Sequence, residues 1–213
     1  MQVKKGQTIL FIGDSITDCS RRGPCAPLGN GYVKLFADML AIRHPSRTIQ
    51  VINKGIGGDV ATGLRDRWED DVIRHRPDWL SIKIGINDLH RTLQKRPDAV
   101  PPELYRQAYE DILTRTRAAL PRCRLLLIDP FYLSTDRSPS SFRNVVLTLL
   151  PEYLRVVRDL SRAFGTRHIR THEVFQRLLA HHEPDFFCAE PVHPNPTGHL
   201  VIAEAVYDAL SRP

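Results

Sequence analysis

The sequence predicts an α/β protein with a five-stranded parallel sheet and helices on both of its faces. Three observations carry this. Short apolar runs alternate with stretches of helical spacing five times along the chain. The first of these runs, Thr8–Ile12, is apolar at four consecutive positions rather than at every second residue, the pattern of a strand buried on both faces. Three of them, Thr8–Ile12, Thr48–Ile52 and Trp79–Ile84, run into glycine-bearing loops. Parallel strands deliver such loops to one sheet edge, where α/β proteins bind ligands.

The first strand, Thr8–Ile12, enters Gly13-Asp14-Ser15 and sets the Ser15 hydroxyl just beyond its carboxyl end. A polar loop from Cys19 to Gly31 follows. Tyr32, Val33, Leu35, Phe36, Met39, Leu40 and Ile42 then recur at helical spacing as far as His44-Pro45. The second strand ends in Asn53-Lys54-Gly55-Ile56-Gly57-Gly58-Asp59. One helix is predicted from Val60 to His75, with Leu64, Trp68, Val72 and Ile73 on its apolar face. The third strand ends in Gly85-Ile86-Asn87-Asp88, where Asn87-Asp88 also reads as a helix cap. Residues 91–102 read as a loop. Pro101-Pro102 opens a helix from Glu103 to Leu120, which Pro121 closes. Leu125–Ile128 is the fourth strand and runs into Asp129-Pro130-Phe131-Tyr132. After a loop at 134–141, a long helix spans Phe142 to Phe164, with Pro151 as a candidate break. His168–Arg170 is a weak fifth strand and Val174–His181 a helix. The loop Pro184–Pro196 leads to a last helix, Thr197–Leu210. No repeat, low-complexity tract or linker divides the chain, so residues 1–213 read as a single domain.

Composition narrows the function classes. The net charge of +6 comes from basic residues scattered along the chain, with Arg21-Arg22 the one Arg pair and no basic run interleaved with aromatics. That argues against nucleic-acid binding. No apolar run approaches the roughly 18 residues of a membrane span, and no leader-like segment opens the chain, so no membrane partner and a cytoplasmic location are expected. Cys19, Cys25, Cys123 and Cys188 lack a C-x-x-C spacing, and His168, His172, His181 and His182 show no ligand spacing, so no metal site is expected. A pairing of Cys19 with Cys25 stays open. Gly55-Ile56-Gly57 follows a strand, but the dinucleotide register meets Val60 where it needs glycine, and no Walker sequence exists.

The placement of Ser15 beyond the first strand raises acyl-transfer chemistry, beside the plainer reading of Gly13-Asp14-Ser15 as a turn. A serine nucleophile needs a base, an acid that orients the base, and donors for the oxyanion. Glu190-Pro191-Val192-His193-Pro194-Asn195 supplies an acid three residues before a histidine, on backbone stiffened by two prolines. Asp185 is a more distant fallback acid. Gly58 offers a backbone N–H and Asn87 a side-chain amide on loops that reach the Ser15 edge. The nucleophile elbow Gly-x-Ser-x-Gly is absent, which argues against the α/β-hydrolase fold.

Together these blocks resemble the SGNH (GDSL-type) hydrolase family. Gly13-Asp14-Ser15-Ile16 resembles its first block and Gly58 the oxyanion glycine of the second. Gly85-Ile86-Asn87-Asp88 resembles the third, and Glu190-Pro191-Val192-His193 the last. Leu28-Gly29-Asn30-Gly31-Tyr32-Val33 and Arg67-Trp68-Glu69-Asp70-Asp71-Val72 are similar to the branch of lysophospholipase-like and acetylxylan esterases. The resemblance implies a flavodoxin-like three-layer α/β/α sandwich and a serine esterase that uses no cofactor. Ser15 is then the nucleophile, His193 the base and Glu190 the acid, with the Ser15 and Gly58 N–H groups and the Asn87 amide as the oxyanion hole. The expected substrate is a short-chain, acetyl ester of a small molecule or oligosaccharide, with Tyr32, His90, Phe131 and Tyr132 along its leaving-group side. Self-association is left open.

Two departures stand out. The family's acid is usually aspartate, and here it is Glu190. The branch often has tryptophan just before the acid, and here it is Ala189. Glu190 also motivates the alternative reading, a catalytically impaired carbohydrate-binding protein on the same fold.

Overall fold

The computed structural model describes residues 1–211. Five strands, β1 (Thr8–Gly13), β2 (Gln50–Asn53), β3 (Trp79–Lys83), β4 (Arg124–Ile128) and β5 (Arg167–Ile169), form one sheet in the order β2-β1-β3-β4-β5. All pairings are parallel. This is the doubly wound flavodoxin-like order, and its strand order reverses between β1 and β3. Gly13 pairs with Lys83 across that switch point, so the loops after β1 and β3 leave the sheet side by side.

The helices are α1 (Ser15–Asp18), α2 (Tyr32–Arg43), α3 (Ala61–Asp66), α4 (Trp68–Asp71), α5 (Ile86–Leu93), α6 (Pro102–Ala119), α7 (Phe142–Ala163), α8 (Thr171–Leu178) and α9 (Pro196–Ser211). α2 packs on α9, while α3 and α7 both pack on α6. Right-handed crossovers place these two groups on opposite faces of the sheet. Ile9, Leu10, Phe11 and Ile12 of β1 are fully buried between the layers. Each contributes roughly 1.5–3 kcal/mol by leaving water.

Several elements differ from the sequence reading. The single helix expected over 60–75 is broken into α3, α4 and a 3-10 turn, Ile73–His75. The break falls at Arg67, whose guanidinium turns away to reach Asp59, Asp71 and the Lys54 carbonyl. α7 runs through Pro151 without division. α5 starts at Ile86, so Asn87 and Asp88 lie inside its first turn and Gly85 is its cap, at φ 134°. α5 also takes in 91–93 from the expected loop. α8 begins three residues earlier than expected. All four cysteines are free thiols, so Cys19 and Cys25 are not paired.

Candidate active site

Ser15 opens α1. Asp14 caps that helix by accepting the Ile16 N–H at 3.0 Å, and its other oxygen lies 3.5 Å from Lys83 Nζ. Both Asp14 and Lys83 are fully buried, with the ammonium 5.0 Å from the Phe131 ring centroid. Burial pushes the Lys83 amine below its usual value, against the pull of Asp14. A buried pair of this kind is costly to break, by about 3–5 kcal/mol, because the survivor is left unpaired. It fixes the turn that carries Ser15. Gly13 is required just before it, since a Cβ there would stand 2.1 Å from the Lys83 carbonyl oxygen.

His193 reaches this point from the loop between α8 and α9. That loop is held on both sides. Leu133 N–H donates to the Pro191 carbonyl at 2.9 Å, and Cys188 bridges Pro194. Asn195 accepts from Gly198 N–H at 3.1 Å, capping α9. His193 Nε2 lies 2.8 Å from Ser15 Oγ, and its Nδ1 lies 2.5 Å from Glu190 Oε1. The same carboxylate accepts the His193 N–H at 2.7 Å and the Val192 N–H at 3.0 Å. The extra methylene of glutamate is thus taken up by a short turn that folds the carboxylate back on its own loop. Partial burial raises the Glu190 carboxyl, but these backbone N–H groups and the imidazole outweigh it and hold it below its ordinary value. His193 Nδ1 therefore faces Glu190, not Asp185.

The second loop is stitched to the Ser15 segment. Ile56 N–H donates to the Gly13 carbonyl, Gly57 N–H to Asp18 Oδ2, and Arg21 Nε to the Gly55 carbonyl. Gly58 follows at φ +77°. Two groups then grip the loop from α5. Asn87 Nδ2 donates to the Asp59 carbonyl at 3.0 Å, and Arg91 Nη2 donates to the Gly58 carbonyl at 2.6 Å. Arg91 is steadied in turn by Asp98 at 2.8 Å. The Ser15 and Gly58 N–H groups donate to no protein acceptor among the described residues, and the Asn87 amide keeps one N–H spare. Asp88 is buried and accepts the Ala61 N–H at 2.8 Å, while its other oxygen has no partner. Burial raises its carboxyl to about 8, against that hydrogen bond.

Of the four expected substrate-side residues, three are corrected: Tyr32, Phe131 and Tyr132 are buried, and His90 alone keeps part of its surface. Tyr32 is fully buried with its hydroxyl 3.0 Å from Thr17, because α2 starts there and turns it into the core against Phe11. Phe131 is also fully buried, over Lys83 and against Phe175. His90 and Tyr132 pack edge to face at 5.8 Å, and the half-exposed Phe142 joins them, 5.7 Å from His90. Burial lowers the His90 pKa, against the nearby Glu190, and its Nε2 has no protein partner. On the far side of Glu190 a cleft of about 350 Å³ is lined by Leu133, Thr135, Arg143, Asp185 and Ala189 among others. Arg91, Arg67 and Phe142 were missed from sequence. Arg91 had a signal, since it lies four residues after Asn87 and so on the same helix face.

Cys19 and His199 are no second nucleophile pair. His199 Nδ1 accepts the Tyr32 N–H, so Nε2 carries the proton that faces Cys19 Sγ at 3.4 Å. Burial, then Asp14 and Asp18, pushes the Cys19 thiol up to about 12.

A serine, histidine and carboxylate in series, beside spare N–H donors at the switch point of a parallel sheet, is the geometry of a serine hydrolase. The chain belongs to the GDSL-like lipase/acylhydrolase family, whose model matches residues 11–201. It is 33% identical to the acetylxylan esterase of Geobacillus stearothermophilus over 214 residues, which is 96% of this chain and 94% of that one. The crystal structure of that esterase superposes with a TM-score of 0.89 at 31% identity, covering 100% of this chain and 98% of that one. Its solved catalytic mutants replace a serine, an aspartate, and a histidine three residues after the aspartate. A further mutant replaces the tryptophan just before that aspartate. An α/β hydrolase enzyme from the metagenome of Lake Arreo, Spain, superposes with a TM-score of 0.88 at 28% identity, covering 99% and 98% of the two chains. The protein is accordingly an SGNH-type carboxylic ester hydrolase.

Proposed function

We propose that this protein is a serine esterase that removes short acyl groups, acetyl above all, from carbohydrate, through a Ser15–His193–Glu190 triad and an acyl-enzyme. The observation that carries the triad is the continuous contact from Ser15 Oγ through His193 to Glu190, at 2.8 and 2.5 Å. In the proposed cycle His193 takes the Ser15 proton as Oγ attacks the ester carbonyl. Glu190 holds the imidazole by Nδ1 and balances the imidazolium. The Ser15 and Gly58 N–H groups and the Asn87 amide receive the negative charge that develops on the carbonyl oxygen. The imidazolium then protonates the leaving alcohol. Water, deprotonated by His193, releases the acid and restores Ser15.

The acetyl-carbohydrate assignment is supported by the likeness to an acetylxylan esterase and by the surroundings of Glu190. The cleft beside it offers Thr135, Arg143 and Asp185 to hydroxyl groups. Ala189 keeps that cleft open where the relative carries tryptophan before its acid. Phe142, exposed, and His90, partly so, offer aromatic surface of the kind sugars pack against, with Tyr132 buried behind His90. The impaired-protein reading rested on Glu190, and the contact of Glu190 with His193 favours the active reading over it. The test is acetate release from acetylated xylo-oligosaccharides. Release that disappears in Ser15→Ala supports the assignment. Turnover of simple acetyl esters with none of acetylated oligosaccharides would retain the esterase and reject the carbohydrate.

A further inference from the structure

At the end of the sheet remote from Ser15, where β3, β4 and β5 begin, the surface opens into a cleft of about 440 Å³. Trp79, Arg117, Arg122, Arg124 and Arg167 are among its lining residues, and no acidic side chain is. A second cleft of about 510 Å³ shares Gln2 and Arg124 with it and adds Lys4, Lys5 and Arg47. A third, of about 310 Å³, shares Arg122 and contributes Asp78. Asp78 is the one carboxylate among the described residues lining the three. Its oxygens are already engaged by the Thr8 N–H at 2.8 Å and by Gln7 Nε2 at 3.4 Å.

Some arginines of the molecule meet carboxylates, as in Arg22–Asp18, Arg43–Glu204 and Arg67–Asp59. At this end of the sheet neutral oxygens hold Arg117, Arg124 and Arg47. Arg117 donates to the Cys123 carbonyl at 3.0 Å and the Phe164 carbonyl at 2.7 Å. Arg124 donates to Gln2 Oε1 at 3.1 Å and lies 5.2 Å from the Trp79 ring centroid. Arg47 donates to the Met1 and Val3 carbonyls, both at 3.0 Å. Among the described residues no carboxylate forms an ion pair with Arg117, Arg122 or Arg124. Carbonyl hydrogen bonds fix a guanidinium in position without cancelling its charge. Gathering like charges around one concavity opposes folding, and a multivalent anion in the cleft reverses the sign of that interaction.

We propose that this cleft is a second, non-catalytic site for a small anion with two or more linked phosphoryl groups. The guanidinium fork matches phosphate oxygens two at a time. The volume exceeds what one phosphate fills and falls within the range of small-ligand sites, roughly 300–1,000 Å³. Nucleic acid fits less well. The charges ring a concavity rather than track a groove, and Trp79, at 1% exposure, offers no face for base stacking.

The test is calorimetric titration of the whole protein with pyrophosphate at about 0.15 M salt, where long-range attraction is screened. Inorganic phosphate and single-stranded DNA of two lengths are the comparators, and the double variant Arg122→Gln/Arg124→Gln is run in parallel. Arg122 and Arg124 are both exposed, Arg124 meeting Gln2 Oε1 and the edge of the core at Trp79, and urea unfolding of the variant beside the unsubstituted protein checks that it keeps its fold. Saturable one-to-one binding of pyrophosphate is expected, about tenfold or more tighter than phosphate. The variant should weaken it by about tenfold or more, as the loss of a charge-assisted contact requires. Ester hydrolysis by the variant should stay within about twofold of the unsubstituted protein, because Ser15 lies at the other end of the sheet. No binding at millimolar pyrophosphate, or equal affinity in the variant, would overturn the proposal. DNA affinity that grows with length and displaces pyrophosphate would overturn it in favour of a general polyanion face.

Discussion

In the variant Glu190→Asp the carboxylate retreats by about 1.5 Å, the length of one C–C bond. The observed contact with His193 Nδ1 is 2.5 Å, so with a fixed backbone it opens to about 4 Å, beyond hydrogen-bonding reach. The backbone has little freedom to follow. Pro191 is tied to Leu133, Pro194 to Cys188, and the Val192 and His193 N–H groups are ordered around the longer side chain. Replacing a triad acid by its amide costs about 10⁴ in kcat, which bounds the effect from above. The aspartate keeps its charge near the imidazole, so we expect kcat for p-nitrophenyl acetate to fall about 10- to 100-fold, with KM within about twofold. Glu190→Gln should approach the 10⁴ bound. Steady-state kinetics that separate kcat from KM read this directly. An aspartate variant as fast as the unsubstituted protein would refute the reasoning that this loop is fitted to glutamate.

Three further predictions concern the oxyanion side. Asn87→Ala should lower kcat by about 10²–10³ with a much smaller change in KM; a KM effect alone would deny the amide its place at the oxyanion. Arg91→Ala frees the Gly58 carbonyl and should cost about tenfold in kcat, while unfolding free energy changes by less than about 1 kcal/mol, since its partner Asp98 is exposed. Unchanged kcat would mark the Arg91 contact as incidental. Asp88 binds its proton more tightly in the folded protein, at about 8, than in the unfolded chain, at about 4. The folded state therefore carries the extra proton between those values, and stability falls as pH rises through them. Asp88→Asn removes that slope. Urea unfolding at pH 5 and pH 8 should show the variant gaining on the unsubstituted protein by about 1 kcal/mol or more at the higher pH. A difference that does not change with pH would place the titration elsewhere.

What could be read from sequence was whatever depends on local order. The apolar run before Gly13, the glycines after β2 and β3, and the spacing of Glu190 and His193 are contiguous signals. Each landed on the sheet edge that the alternation of strands and helices predicts. What escaped depends on long-range partners. Arg67 breaks the helix expected over 60–75 because of Asp59 and Asp71, which periodicity does not register. Tyr32, Phe131 and Tyr132 stood at the right chain positions to line the substrate, but aromatic residues next to a site fill the core as readily, and all three do so here. Lys83 ends a strand that is buried at every position, and only the fold reveals Asp14 as its partner. The grip of Arg91 on Gly58 joins helix α5 to a loop 33 residues earlier and required the fold to be seen.

The central claim is that Ser15, relayed through His193 to Glu190, attacks a short-chain ester. Hydrolysis of p-nitrophenyl acetate, measured beside the octanoate ester for the unsubstituted protein and for Ser15→Ala, tests it most directly. The account predicts acetate turnover well above octanoate turnover, with both lost in Ser15→Ala to the background rate. Acetate turnover that survives Ser15→Ala, or no turnover by the unsubstituted protein above that background, would contradict it.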